Sequence, residues 1–144
     1  MNFIEFLAES ENKELGETLE KLPKKHYALV KGFKFEFQSG NTLKGDKNSV
    51  GFIDEAKKKI IIASPWNYGR EYTVLHEIGH LIWKYLVDED KRKEWKTIVS
   101  KTKHKQDQNA EELFCMAYSD AYAKNKIEIH HHPEWEKFIR KLPK

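Results

Sequence analysis

The sequence predicts an α+β domain, and three observations carry that prediction. Between Phe33 and Ala63 apolar residues either alternate with polar ones or run in short aliphatic blocks, the patterns of half-buried and buried strands. Beyond Gly69 the apolar period lengthens to that of an α-helix and holds almost to the end. The order along the chain is therefore helix, small sheet, then helices, with strand and helix patterns segregated instead of interleaved.

The elements follow in order. Phe3, Ile4 and Leu7, then Leu15, Leu19 and Leu22, recur at helical spacing among Glu and Lys, giving one or two amphipathic helices that stop at Pro23. A short apolar stretch, Tyr27 to Val30, leads to Gly32. Phe33-Lys34-Phe35-Glu36-Phe37-Gln38 then alternates with period two and reads as a half-buried strand. Ser39 to Asp46 is rich in turn formers. Ser49 to Asp54 and Lys59 to Ala63 read as two strands joined by the polar turn Glu55 to Lys58, an arrangement like a hairpin. Glu71 to Val87 is a strong helix, Asp88 suits the cap of a second running to about Lys101, and Asn109 to Lys124 form a third. His132-Pro133-Glu134 opens a last helix, with proline in its first turn and Trp135, Phe138, Ile139 and Leu142 on one side.

At 144 residues, with 39% hydrophobic and 34% charged residues, the chain suffices for one core, and with no repeat or composition break 1–144 reads as a single domain. Lys and Arg total 26 against 23 Asp and Glu, spread along the chain, so a nucleic-acid partner is not expected. No run approaches the roughly 18 apolar residues of a membrane span, and Met1 to Phe6 lacks the basic start of a secretory leader. A soluble cytoplasmic protein is the expectation, although a secreted or virion-associated one this poor in cysteine would read the same. The lone Cys115 excludes an intrachain disulfide and a multi-cysteine zinc site.

Within the first long helix lies Thr73-Val74-Leu75-His76-Glu77-Ile78-Gly79-His80-Leu81-Ile82, which contains His-Glu-x-x-His. Residues i and i+4 share a helix face, so the imidazoles of His76 and His80 can converge on one ion. Glu77 lies about 100° further round, placed to reach a metal-bound water without becoming a ligand. Leu75, Ile78 and Ile82 form the core-facing stripe, and Gly79 admits close approach of another segment. A chance match is expected roughly 0.04 times in a chain of this composition. Apolar flanks on both sides place the polar groups in the interior, where they need partners.

A catalytic zinc needs a third protein ligand and an open position. The extended motif ending in a third histidine is excluded, because Trp83 and Leu86 occupy its positions. A carboxylate from a later helix is the alternative. Asn109-Ala110-Glu111-Glu112-Leu113-Phe114 offers two adjacent candidates, of which one is expected to face inward. Helical geometry leaves the choice between Glu111 and Glu112 open, and both residues also suit a solvated helix N-terminus.

At these residues the sequence resembles the anthrax lethal factor-like metalloprotease domains, which include the clostridial Pro-Pro endopeptidases. Val74 to His80 is similar to that family's V-L-H-E-x-G-H helix. Asn109 with Glu112-Leu113-Phe114 is similar to its later N-x-x-E-[FL]-F helix, in which the Glu before the aromatic pair binds zinc. Gly51-Phe52-Ile53-Asp54 with Ile60-Ile61-Ile62 looks like the family's paired strands, and the helix from Pro133 looks like its end. The resemblance covers most of 33–142 and implies a zincin-like fold with one Zn2+ per chain. It implies His76, His80 and Glu112 as zinc ligands, Glu77 as the catalytic base, and a peptide or protein as substrate. Two positions depart from the family pattern. Seven residues before Glu112, where the family has a tyrosine whose hydroxyl helps stabilise the oxyanion, stands Lys105, beside His104. His104, Lys105 and Tyr68 are the candidates for that role. Met116 stands where the family often has a second acid, so support for a zinc-bound imidazole is expected from elsewhere.

The function expected is zinc-dependent hydrolysis of a peptide bond, in which zinc lowers the pKa of a bound water and Glu77 takes and returns its proton. Substrate would pair with an edge strand near the motif helix, either the one with Ile60 to Ile62 or the one with Val50 to Ile53. The alternative is a non-catalytic module, phage-associated for example, in which a structural zinc ties two helices together. A repressor-cleaving phage peptidase is disfavoured, since the closing motif of that group is missing and no helix-turn-helix accompanies the domain. His130-His131-His132 reads as an exposed connector, and the lysine runs 57–59 and 101–105 as solvated ends. Trp66, Trp83, Trp95 and Trp135 read as core.

Overall fold

The computed structural model describes residues 9–39, 51–64, 69–101, 109–123 and 132–144. They form an α+β arrangement of six helices and one three-stranded sheet: α1 (Glu9–Glu20), α2 (Lys24–Val30), β1 (Lys34–Ser39), β2 (Gly51–Asp54), β3 (Lys59–Ser64), α3 (Gly69–Leu86), α4 (Glu89–Ser100), α5 (Ala110–Tyr122) and α6 (Pro133–Arg140). None of these helices is long and apolar enough to cross a membrane. Outside the described residues lie Phe3 to Leu7, Ser49, Val50, Trp66, Tyr68, His104, Lys105, His130 and His131.

The sheet order is β1-β3-β2, with β1 parallel and β2 antiparallel to β3. The β2–β3 hairpin turns at Glu55 to Lys58, where Lys58 takes the left-handed conformation at φ 54° and the Lys57 amide donates to the Asp54 carboxylate. Period-two burial appears where alternation predicts it: Phe35, Ile60 and Ile62 are fully buried, while Glu36 pairs at 2.9 Å with Lys59 on a more exposed edge. Because β3 is paired on both sides, it offers no free edge, which removes the Ile60 to Ile62 strand as a substrate partner. β2 remains an edge, with Phe52 half exposed.

Tyr27 to Val30, read from sequence only as an apolar stretch, belongs to the short helix α2. It follows Pro23 at its N-cap and buries just His26 and Val30, one turn apart. Seven residues are too few to establish a helical period by themselves.

The two long central helices define the middle of the molecule, and α3 makes its largest contact with α5. A Cβ at Gly79 would stand 3.0 Å from the Cα and 3.2 Å from the Sγ of Cys115, so the absence of a side chain is what lets the two helices cross this closely. A second tie is the Ser119 hydroxyl, which donates to the Tyr72 carbonyl at 3.0 Å. Leu75, Ile78 and Ile82 are fully buried, as their spacing predicts. β2 and β3 lie against another side of α3.

Asp88 caps α4 by accepting from the Lys91 amide, and Asn109 caps α5 by accepting from the Glu112 amide at 2.7 Å. Trp95 on α4 donates through Nε1 to the Ala110 carbonyl and packs its ring against Phe114, Trp135 and Phe138, joining α4, α5 and α6. Trp83, Trp95 and Trp135 are all buried, as expected of core residues. His132 stacks on Trp135 at 4.2 Å between ring centroids.

Candidate metal centre

His76 and His80 leave the same face of α3 one turn apart, with ring centroids 5.3 Å from each other. The first turn of α5 lies opposite and brings the Glu112 carboxylate between them. Its Oε2 is 3.0 Å from His76 Nε2 and its Oε1 is 3.2 Å from His80 Nε2. The two histidines are partly exposed at 20% and 25% of their side chains, so the site opens to solvent on one side and is not sealed within the core.

Glu111 also reaches the site, contrary to the expectation that only one of the adjacent glutamates turns inward. Its Oε2 lies 2.5 Å from His80 Nδ1, so the imidazole is gripped by a carboxylate at each ring nitrogen. Adjacent residues diverge by about 100° around a helix, but side chains as long as glutamate converge when the target ring stands over the first turn. Helical spacing places Cα atoms and not carboxylates, so it carries no signal of this second contact. The carboxylate beside the far nitrogen of His80 is thus that of Glu111. A carboxylate on the far nitrogen of a ligating histidine fixes its tautomer and raises its basicity.

Glu77 is buried, 6% exposed, and its Oε2 meets no hydrogen-bond partner among the described residues. Burial pushes its carboxyl pKa above the ordinary carboxylate value, opposed in part by His76 and His80. Burial of His80 works against its charged form, yet the hydrogen bonds to Glu112 and Glu111 outweigh it and push its pKa up to about 9. The same imidazoles, His76 first, hold the Glu112 carboxyl well below the usual range.

Two imidazoles and a carboxylate are a donor set suited to zinc, and an orphaned buried oxygen beside them is a position that a water held at the centre would satisfy. The residues present therefore fit the metal that the motif implies. A second triplet is also close enough: ligand atoms of His76, His80 and Cys115 lie within 4.8 Å of one another. Cys115 is wholly buried, and desolvation together with Glu112, Glu111 and Glu77 pushes its thiol pKa well up. Glu112 is the third donor that the geometry favours, because its carboxylate stands 3.0 Å from a nitrogen of His76 and 3.2 Å from one of His80. His104, the candidate oxyanion donor, lies outside the described residues, as do Lys105 and Tyr68.

A cleft of about 450 Å³ opens beside the centre. Its walls come from β2, from α3, from the start of α4 and from the first turn of α5, and Glu77, His80, Glu111, Trp83 and Arg92 are among its lining residues. No protein-family model, curated protein or solved structure matches this chain.

Proposed function

We propose that this chain is a zinc-dependent endopeptidase of zincin type with a glutamate as third ligand, similar to the lethal factor-like metalloproteases. The observation that supports the reading most is the convergence of His76, His80 and Glu112 beside the buried Oε2 of Glu77, which has no hydrogen-bond partner among the described residues. His76, His80 and Glu112 are the residues that hold the metal, and Glu111 holds His80 by its other nitrogen. The bound metal supplies Lewis acidity, polarising a carbonyl and making water acidic near neutral pH. Glu77 accepts the proton of the attacking water and delivers it to the nitrogen of the departing amine, so one carboxylate serves both halves of the hydrolysis. Its burial keeps bulk solvent from competing for that oxygen.

The substrate is a peptide running along β2, whose outer edge has no partner strand among the described residues and can accept an added strand through main-chain hydrogen bonds. Unchanged amide-exchange protection of β2 in the presence of a bound peptide counts against this placement.

Elemental analysis of the purified chain and of Glu112→Ala tests the metal. The expected result is about one zinc per wild-type chain, lost or strongly reduced in the variant. Cleavage of a peptide library is then expected from the zinc-loaded wild type and is expected to vanish in Glu77→Gln with zinc retained. A wild-type chain that holds no zinc even when zinc is supplied overturns the reading.

A further inference from the structure

The cleft beside the metal centre carries several charges, and most of them are matched in place. Lys84 meets Glu55 at 2.6 Å, and the Tyr85 hydroxyl donates to the same carboxylate at 2.5 Å. Glu111 meets His80 at 2.5 Å. Arg92 is different. Its Nε donates to the Val87 carbonyl at 2.9 Å and its Nη2 to the Trp83 carbonyl at 2.7 Å, while the guanidinium lies 4.9 Å from the centroid of the Trp83 ring. These are neutral partners, and no carboxylate meets Arg92 among the described residues. A guanidinium has five N–H donors in a fixed fork, and two carbonyl bonds leave part of that fork free.

The position of this cation is set by the fold. The two carbonyls and the indole ring anchor it at the C-terminal end of α3, and it lines the cleft. The two carbonyls that hold Arg92, those of Trp83 and Val87, stand about 9 and 15 Å beyond Glu77 at 1.5 Å per residue. An extended peptide covers such a distance in about three to five residues. The lining of the cleft therefore combines the acidic Glu77 and Glu111 with a cation that meets no carboxylate among the described residues, and the apolar Phe52, Ile53 and Leu81 share that lining.

We infer that Arg92 is a specificity-determining residue that binds a carboxylate of the substrate about three to five residues from the scissile bond. This rests on the endopeptidase reading and names the substrate class for it: peptides with an acidic side chain or a free C-terminal carboxylate at that distance. Guanidinium and carboxylate pair through two parallel hydrogen bonds, a geometry that an isosteric amide cannot match in charge.

The test uses the full, zinc-supplied chain and a set of N-acetylated octapeptides. Each is made with Glu or Gln at one position in turn, and each with a free or an amidated C-terminus. Retention of each peptide is measured separately from its cleavage. Glu peptides, or free-terminus peptides, are expected to be retained at least fivefold better than their Gln or amidated partners, and which pair shows the difference identifies the source of the carboxylate. Arg92→Gln is expected to abolish that difference. Lys93→Gln, which removes the same charge from the exposed neighbouring position, is expected to keep it. If neither pair differs in the wild type, or if the difference survives in Arg92→Gln, the inference is overturned. Should Arg92→Gln fail to fold, the wild type decides by salt: the difference is expected to collapse between 0.05 M and 0.5 M salt, and its persistence overturns the inference. Retention that depends on Arg92 without any cleavage leaves the anion subsite standing and sinks the peptidase reading. Cleavage indifferent to carboxylates does the reverse.

Discussion

Gly51 on β2 lies directly against the carboxylate of Glu77 on α3. A Cβ at position 51 would sit 2.7 Å from Glu77 Cδ and 2.8 Å from its Cγ and Oε1. The register explains why: Gly51 pairs with Ile62, whose side chain is on the buried face of the sheet, so any side chain at 51 would point at α3. The space that glycine leaves is the space the carboxylate fills.

Gly51→Ala is therefore expected to move Glu77 and not to unfold the chain, because the obstructed atoms are the far end of a flexible side chain. Peptide cleavage is expected to fall by about 10- to 100-fold, the scale of a displacement near 1 Å in a reacting group. Zinc content and the thermal midpoint should stay near wild type. Wild-type cleavage by this variant would mean that Glu77 is not the proton carrier.

Gly79→Ala tests the opposite situation. Here the atoms in the way belong to Cys115, its backbone Cα included, so α3 and α5 have to separate. The helical gain of roughly 0.5–1 kcal/mol from replacing glycine is outweighed by an overpacking cost of about 1–3 kcal/mol. A lower midpoint in thermal or denaturant unfolding is expected, with weaker zinc retention because the ligands lie on the two helices being pushed apart.

The choice of third ligand can be read from three variants in one elemental assay. Glu112→Ala is expected to lose zinc. Cys115→Ala should keep it, and Glu111→Gln should keep it with affinity reduced about 10- to 100-fold, the usual cost of removing a carboxylate behind a ligating histidine. Zinc lost in Cys115→Ala and kept in Glu112→Ala would move the centre to the thiol.

His26 supplies a pH dependence of stability away from the metal centre. It is fully buried; its Nε2 donates to the Pro143 carbonyl at 2.7 Å, and its Nδ1 accepts from the Tyr118 hydroxyl at 2.9 Å. Tyr122 faces it edge-on, and Arg140 lies over the Tyr122 ring. Desolvation lowers its pKa from 6.5, and Lys144 adds to that, against the hydrogen bond to Pro143. The unfolded chain therefore binds the proton more readily. This contribution to stability is complete above pH 6.5 and is lost as the pH falls below it. Unfolding midpoints measured from pH 7.5 to 5 should fall less steeply in His26→Gln than in the wild type. Equal slopes would remove the role.

Much of this architecture can be read from the chain itself, for reasons that differ by element. α3, α4 and α5 are legible because long amphipathic periods coincide with capping residues at Asp88 and Asn109. The hairpin is legible from two aliphatic runs around a polar turn. The pairing of β1 with β3 is not, since parallel neighbours that are distant in sequence leave no local mark, and that pairing is what decides which strand keeps a free edge. At the metal centre the motif helix announces His76, Glu77 and His80. The preference for Glu112 over Glu111 follows from resemblance alone, and the contacts of Glu111 with His80 and of Gly51 with Glu77, like the place of Arg92, emerge only when separate elements are brought together.

The amide of Glu112 donates to the Asn109 cap while its own side chain reaches both imidazoles. The proposed third ligand is thus carried on the opening turn of a helix, the part that frays most readily. Fraying and ligand release are then one motion. An ion bound there acts as a clasp on the start of α5, and the hydrogen-exchange rates of the Glu112 and Leu113 amides become a direct gauge of its occupancy.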